Sequence, residues 1–528
     1  MSIFRFLIHG LEKMVKIWYN ISNLYIDKEK DMAKNIKLIG SGLKKIRTVD
    51  ERLASYNVEM TEVTGGTFWK EYTPEEIAGN GKFPMIGIMN KDELMQVYPP
   101  IDLYNARLRK LASNLGPVWI RVSGTWATTT YYDFDGTTNG VAPEGYKSVL
   151  TKEQWIGVLE FVKFLGAKLL VSVANCEGLH SAEEPWNPSQ AKILFDFSRE
   201  YGVPIEAAEF MNEPNLLEGS GGPKGYKPEH FVRDQDIFNK WIHDNYPECK
   251  AVGPCSFNGK VGGLNIEKFP LKQLMTPIST VAFLKDAKEP MDVFSYHYYN
   301  GVSERIAAGM HFVHWKGSLI TSEEYLDGAP YCAKSAARVR DKYMPDAQMW
   351  VTESGDAGGG GNTWGSTYVD VLRTLNELGS FATVTDGVIF HNTLASSDYG
   401  WLRHGTFDPR PNYFAILLWN KLMGQTVYDS EIKISEGAHV YCHSRKDGEE
   451  GVSYLVINNS KKATTTVELP GEATCYVLAG RDGMRSTAMT LNGRELALVE
   501  NDELPDLSGE KVSGKLELAP GSCVFVVI

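Results

Sequence analysis

From about residue 60 to 425, short apolar runs alternate with longer stretches whose apolar positions recur every three to four residues. Runs of that kind read as buried strands, and the longer stretches as helices with one apolar face. The strand candidates are EVTGG (62–66), VWIRVSG (118–124), KLLVSVAN (168–175), IEAAEFMN (205–212), KAVGPCS (250–256), VFSYHYY (293–299), QMWVTES (348–354) and DGVIFHN (386–392). Helical patterns such as KEQWIGVLEFVKFLG and STYVDVLRTLNELG lie between them and close on Gly, a frequent helix stop. This alternation predicts an α/β fold, a (β/α)8 TIM barrel spanning 60–425.

After residue 426 the period changes to two. HVYCHSR, VSYLVINN, TTTVELP, ATCYVLA and SCVFVVI are separated by turn-rich DGEEG, NNSKK and AGRDG. That pattern predicts a C-terminal antiparallel β-sandwich over 426–528, to which 36–59 adds strands. Residues 1–35 read as an N-terminal extension. Charges at Arg5, Glu12, Lys13 and Lys16 interrupt any signal-peptide core there. Two readings stand for it: a helix with one face on a membrane surface, or a chain whose start is Met32. No stretch reads as a membrane span.

The chain has 528 residues and a net charge of −12, its basic residues scattered apart from Lys44, Lys45 and Arg47. Such a balance argues against nucleic acid as a partner and disfavours heavily sulfated polymers. Seven cysteines, odd in number and without C-x-x-C spacing, read as buried free thiols. They fit a reducing, cytoplasmic location, with a Cys249–Cys255 disulfide as the alternative.

Barrel chemistry sits where strands end and loops begin. Glu213, in AAEFMNEPNLL, follows the fourth strand candidate, and Glu353, in MWVTESGDAGGGG, closes the seventh. Two facing carboxyls are what a retaining glycosidase needs: one attacks the anomeric carbon, the other protonates the leaving oxygen and then activates water. Asn212, beside Glu213, is placed to hydrogen-bond a sugar 2-hydroxyl. The chain contains no G-x-S-x-G and no G-x-G-x-x-G, so serine-hydrolase and dinucleotide chemistry lack their motifs. His311 and His314 lack a third ligand at usable spacing for a metal.

NEPN on strand four, SYHYYNG on strand six and TESGDAGGGG on strand seven resemble glycoside hydrolase family 79, the family of β-glucuronidases and heparanases. DYGWLRHGTFDPRPNYFAILLWNKLMGQTVY and LNGREL…LPDLSG…LAPGSCVFVVI are similar to its strand-eight segment and its sandwich, so the resemblance spans about 60–528. It implies a cofactor-free enzyme acting on glucuronic-acid-containing glycosides. Glu213 would be the acid/base and Glu353 the nucleophile; Asn212 would bind the 2-hydroxyl, and Thr125, His297 and Tyr298 would contact the sugar or hold the nucleophile. The glucuronate carboxylate would sit against the backbone of Gly359 and Gly360 and against Tyr399. Successive glycine N–H groups form such an anion nest without needing an Arg.

The chain departs from that pattern in places. His391 stands where a Gln is expected, yet remains a candidate substrate contact. Trp126 replaces a heparanase Lys, and the chain reads TGGTFWKEY where heparanases carry acidic and amide sugar contacts just after strand one. Trp364 and Trp401 read equally as sugar platforms or core. The expectation is a retaining, exo-acting β-glucuronidase. A heparanase-like endo-β-glucuronidase, a related β-xylosidase or β-glucosidase, and a non-catalytic sugar-binding protein are the alternatives.

Overall fold

The computed structural model describes residues 33–528 apart from 85–86, 88–90, 258–259, 262–263, 266–276 and 310–312. The readings made for residues 1–32 and for His311 therefore lie outside the described residues. Eight parallel strands close a barrel: β1 (Ala54–Glu59), β2 (Trp119–Ser123), β3 (Lys168–Ser172), β4 (Ala207–Glu209), β5 (Lys250–Phe257), β6 (Val293–Tyr299), β7 (Gln348–Gly355) and β8 (Ile389–His391). Chain order is barrel order, and β8 pairs with β1 to complete the ring.

The first strand is not EVTGG but ASYNVE, a few residues earlier. Val63 and Thr64 look strand-forming, yet Met60–Thr64 is a helix. Its start is fixed by a reciprocal cap, in which the Glu62 carboxylate accepts from Glu59 N–H at 2.7 Å. Gly65 and Gly66, both at positive φ, then turn the chain out. The segment 36–59 is consequently divided. Lys45–Thr48 pairs with Met423–Tyr428 in the sandwich, whereas Ala54–Glu59 belongs to the barrel.

Inside the barrel, Trp119, Leu170, Ala207, Val252, Val293, Trp350 and Phe390 form an apolar floor. Two residues further along the strands the inward positions turn polar, giving Arg121, Ser172, Glu209 and Ser295, and then Ser123 and His297. Outward positions such as Ile120, Val122, Val171 and Tyr296 pack against the surrounding helices. The helices are delimited as their sequences suggest. Lys152–Leu165, for example, starts on a Thr151–Gln154 capping box and stops at Gly166 in the left-handed region.

The C-terminal strands make a nine-stranded sheet facing a three-stranded one, with Val440, Tyr454, Val456, Val524, Val467 and Leu518 between them. The pairing is antiparallel except where Lys34–Lys37 runs parallel to Thr465–Glu468. The larger sheet packs on the helix Tyr368–Val384, which follows β7 and is buried almost end to end. Arg373 neutralises Asp370 and Glu377 within that helix, at 2.6 and 2.8 Å. This anchors the back of the strand that carries Glu353. Among the described residues no helix is long and apolar enough to cross a membrane.

Candidate active site

A cavity of about 530 Å³ opens at the C-terminal ends of the barrel strands. Glu59, Asn212, Glu213, His297, Tyr299, Glu353, Asn392 and Tyr399 line it, with Thr125, Trp126, Phe68, Trp69, Met95, Gly358 and Gly359 around the wall.

Glu213 sits just past β4 with φ 45° and ψ 60°, a left-handed conformation that costs a non-glycine residue energy. Pro214 opens the short turn that follows, and Glu213 N–H donates to Cys255 O at 3.1 Å. The carboxylate is thereby held at the pocket mouth, its side chain 20% exposed. Glu353 lies deeper. A register shift in the β6–β7 pairing between Val351 and Glu353 re-aims the strand end inward. There Glu353 accepts from Tyr299 Oη at 2.6 Å and Arg121 Nη1 at 3.1 Å. One carboxylate oxygen of Glu213 and one of Glu353 lie within 4.8 Å of each other. That spacing suits a retaining pair, whose carboxyl groups stand about 5–5.5 Å apart, and leaves no room for the water an inverting pair needs between them.

His297 lies against both carboxylates. Its Nε2 is 3.3 Å from Arg121 Nη2, and a guanidinium can only donate, so the proton sits on Nδ1. That Nδ1–H faces Glu213 at 3.1 Å and Glu353 at 3.7 Å. Glu213, His297 and Glu353 together offer three atoms that a cation could also use, although Glu353 already accepts from Tyr299, Arg121 and, at 3.5 Å, Asn392 Nδ2.

Arg121 is wholly buried beneath the pair and forks onto Glu209 at 2.9–3.1 Å. Burial alone would raise the Glu209 pKa, but Arg121 holds it below the usual carboxylate value. Arg121 Nη2 also donates to Asn212 Oδ1 at 2.9 Å, which fixes the amide so that Nδ2 turns toward Thr125 Oγ1, 3.5 Å away, and the cavity.

Glu59 closes β1, ahead of TGGTFWKEY, and adds an acidic group to the cavity that the strand candidates left out. It is 2% exposed, and burial and then Glu353 push its pKa well above the usual range. Its surroundings thus favour the neutral form over the charged one. Asn392 Nδ2 bridges Tyr299 Oη at 2.9 Å and Tyr399 Oη at 3.3 Å, leaving the Tyr399 hydroxyl proton free for the cavity. The N–H groups of Gly358 and Gly361 are taken by Gly301 O and Ala357 O. Those of Gly359 and Gly360, both at positive φ, meet no protein acceptor among the described residues.

The structure thus gathers Glu213, Glu353, Asn212, Thr125, His297, Gly359 and Tyr399 around one cavity. Three sequence-stated contacts fall elsewhere. Tyr298 points out of the barrel and donates to Asn300 Oδ1 at 2.7 Å, because strand alternation from His297 turns Tyr299 inward instead. His391 is buried against Trp401 at 4.9 Å, with Nε2 on Tyr399 O at 2.6 Å. Burial pulls its pKa down to about 4, and its bond to Tyr399 O braces that loop, while His391 is absent from the cavity lining. Gly360 stands behind Gly359, its carbonyl accepting from Ser397 Oγ at 2.8 Å; only its N–H remains open. Trp364 and Trp401 are core, each 1% exposed. Cys249 and Cys255 are free thiols, as are the other five cysteines. His314 is buried, with Nδ1 3.2 Å from Val302 O.

No family model matches the chain. Heparanase-like protein 1 of Arabidopsis thaliana is 25% identical over 491 residues, covering 81% of this chain and 85% of its own. Baicalin-beta-D-glucuronidase of Scutellaria baicalensis is 23% identical over 463 residues, covering 81% and 83%. Among solved structures, a 4-O-alpha-L-rhamnosyl-beta-D-glucuronidase from Fusarium oxysporum shares the fold, with a TM-score of 0.61 over 94% of this chain at 11% identity.

Proposed function

From the premise that the chain is a glycoside hydrolase, a relative of the heparanases and β-glucuronidases of family 79, we propose that it is a retaining β-glucuronidase. The observation that carries the retaining mechanism is the approach of the Glu213 and Glu353 carboxylates to within 4.8 Å. Glu353 attacks the anomeric carbon while Glu213, nearer the mouth, protonates the departing oxygen. Glu213 then takes a proton from water, which displaces Glu353 and releases glucuronic acid. Asn212 Nδ2 meets the 2-hydroxyl, where contacts tighten in the transition state. The open N–H group of Gly359, with the Tyr399 hydroxyl, receives the substrate carboxylate. The free, buried thiols support a reducing compartment as its setting.

A 2-deoxy-2-fluoro-β-glucuronyl fluoride tests the mechanism, because it forms the covalent intermediate faster than it is hydrolysed. The expected result is a single adduct on the peptide that carries Glu353; an adduct on another carboxylate would remove Glu353 from its role. The heparanase-like endo reading draws on Lys147, an exposed cation at the cavity rim that can meet an acidic neighbour of the cleaved sugar. Faster turnover of sulfated chains than of small aryl glucuronides would favour that reading.

A further inference from the structure

We infer that the hairpin formed by Gly66–Trp69 and Met95–Tyr98 seals the end of the pocket away from the leaving group, so that only a glucuronic acid with a free 4-hydroxyl is accepted. The inference rests on the proposed glucuronidase activity and adds to it the position on a sugar chain at which the enzyme acts.

The acid/base places the leaving group on the β4 side of the mouth. In the closed ring, β8 stands directly across from β4, with β1 beside it. Carbon 4 of a pyranose lies across the ring from carbon 1, so a substituent on the 4-oxygen would leave toward β8 and β1. The hairpin follows β1 and covers that side. Its two strands pair from Gly66↔Tyr98 to Trp69↔Met95.

The hairpin is fastened at two places. On the β2 side, the Phe68 ring packs on Trp126 at 5.1 Å. On the β7 and β8 side, Tyr72 Oη donates to Gly361 O, and Tyr72 N–H to the Asp398 carboxylate, each at 3.1 Å. Arg305 lies over the Tyr72 ring at 3.7 Å and pairs with Asp398 at 2.7 Å, both groups buried. Moving the hairpin would leave the buried Tyr72 N–H and hydroxyl without their acceptors, which is costly, so the hairpin does not yield readily to a larger ligand. Trp69 lies against the glycine loop and lines the cavity: a Cβ added to Gly360 would come within 2.6 Å of Trp69 Cβ. That loop faces the carboxylate on carbon 5, and carbon 4 is its neighbour. A sugar attached through the 4-oxygen would therefore meet Trp69.

The test compares p-nitrophenyl β-D-glucuronide with its 4-O-methyl derivative, on wild type and on Trp69→Ala, with Trp69→Leu as the milder change. One misplaced methyl in a closed pocket is worth about 10–200-fold. Wild-type kcat/KM is expected to fall by about 50-fold or more on methylation, and both variants are expected to narrow that gap, Trp69→Ala the more. Wild type hydrolysing both substrates within about threefold would overturn the inference and leave the glucuronidase reading standing. Failure on the unmethylated glucuronide alongside turnover of another p-nitrophenyl glycoside would instead overturn that reading, and this inference with it.

Discussion

The Tyr299 hydroxyl donates to Glu353 Oε1 at 2.6 Å from the adjacent barrel strand. Tyr298, its neighbour in sequence, faces the other way and serves Asn300. A hydrogen bond to a charged group contributes about 1.5–3 kcal/mol. Tyr299→Phe is therefore expected to lower kcat by about 10–150-fold with little change in KM. Tyr298→Phe should lower stability modestly and leave kcat within about threefold. Steady-state kinetics on the two variants, beside their melting temperatures, check this; equal kinetic losses would refute the alternation.

Arg121 carries the only guanidinium beneath the catalytic pair among the described residues, and Glu209 is its closest counter-charge. Removing Glu209 takes the closest counter-charge from a buried cation and leaves it only Glu353, and breaking such a buried pair costs up to about 3–5 kcal/mol. Glu209→Leu is expected to lose that much in urea unfolding, whereas Glu209→Gln, which keeps an acceptor, should lose less. A Leu variant as stable as wild type would show that the ion pair is dispensable.

Burial drives the Glu62 pKa up to about 8. In the unfolded chain it is near 4.3. The folded state thus holds a proton that the unfolded state gives up, so Glu62's contribution to stability is complete below about pH 4.3 and is lost as pH rises toward 8. Glu62→Gln keeps the helix cap, since Gln serves at that position, and removes the titration. Melting temperatures between pH 5 and 8 should accordingly fall less steeply for the variant than for wild type. Identical slopes would mean that Glu62 does not carry the proton.

The barrel and the carboxylate pair were legible because their signals are local: apolar runs alternating with helical periods, and a Glu at each of two strand ends. The first strand was misplaced because Val63 and Thr64 suggest a strand, while the Glu59–Glu62 cap that makes them helical is a two-residue signal inside an apolar stretch. That shift hid Glu59. Arg121 and Glu209 had a readable signature, since a charge in the middle of an apolar barrel strand must find a partner inside. Which partner depends on three strands meeting, and no single stretch of sequence records that. The exchange of His391 for Asn392 as the residue facing the cavity likewise turns on where the short strand β8 stops.

The proposed reaction needs a carboxylate site opposite a nucleophilic glutamate. p-Nitrophenyl β-D-glucuronide and β-D-glucoside differ only at carbon 6, so their kcat/KM ratio on wild type and on Glu353→Gln tests both halves at once. The predicted result is a preference for the glucuronide of about 100-fold or more, with turnover of either substrate falling by at least about 1,000-fold in the variant. Equal or better turnover of the glucoside would contradict the carboxylate site at Gly359 and Tyr399, and a fully active Glu353→Gln would contradict the nucleophile.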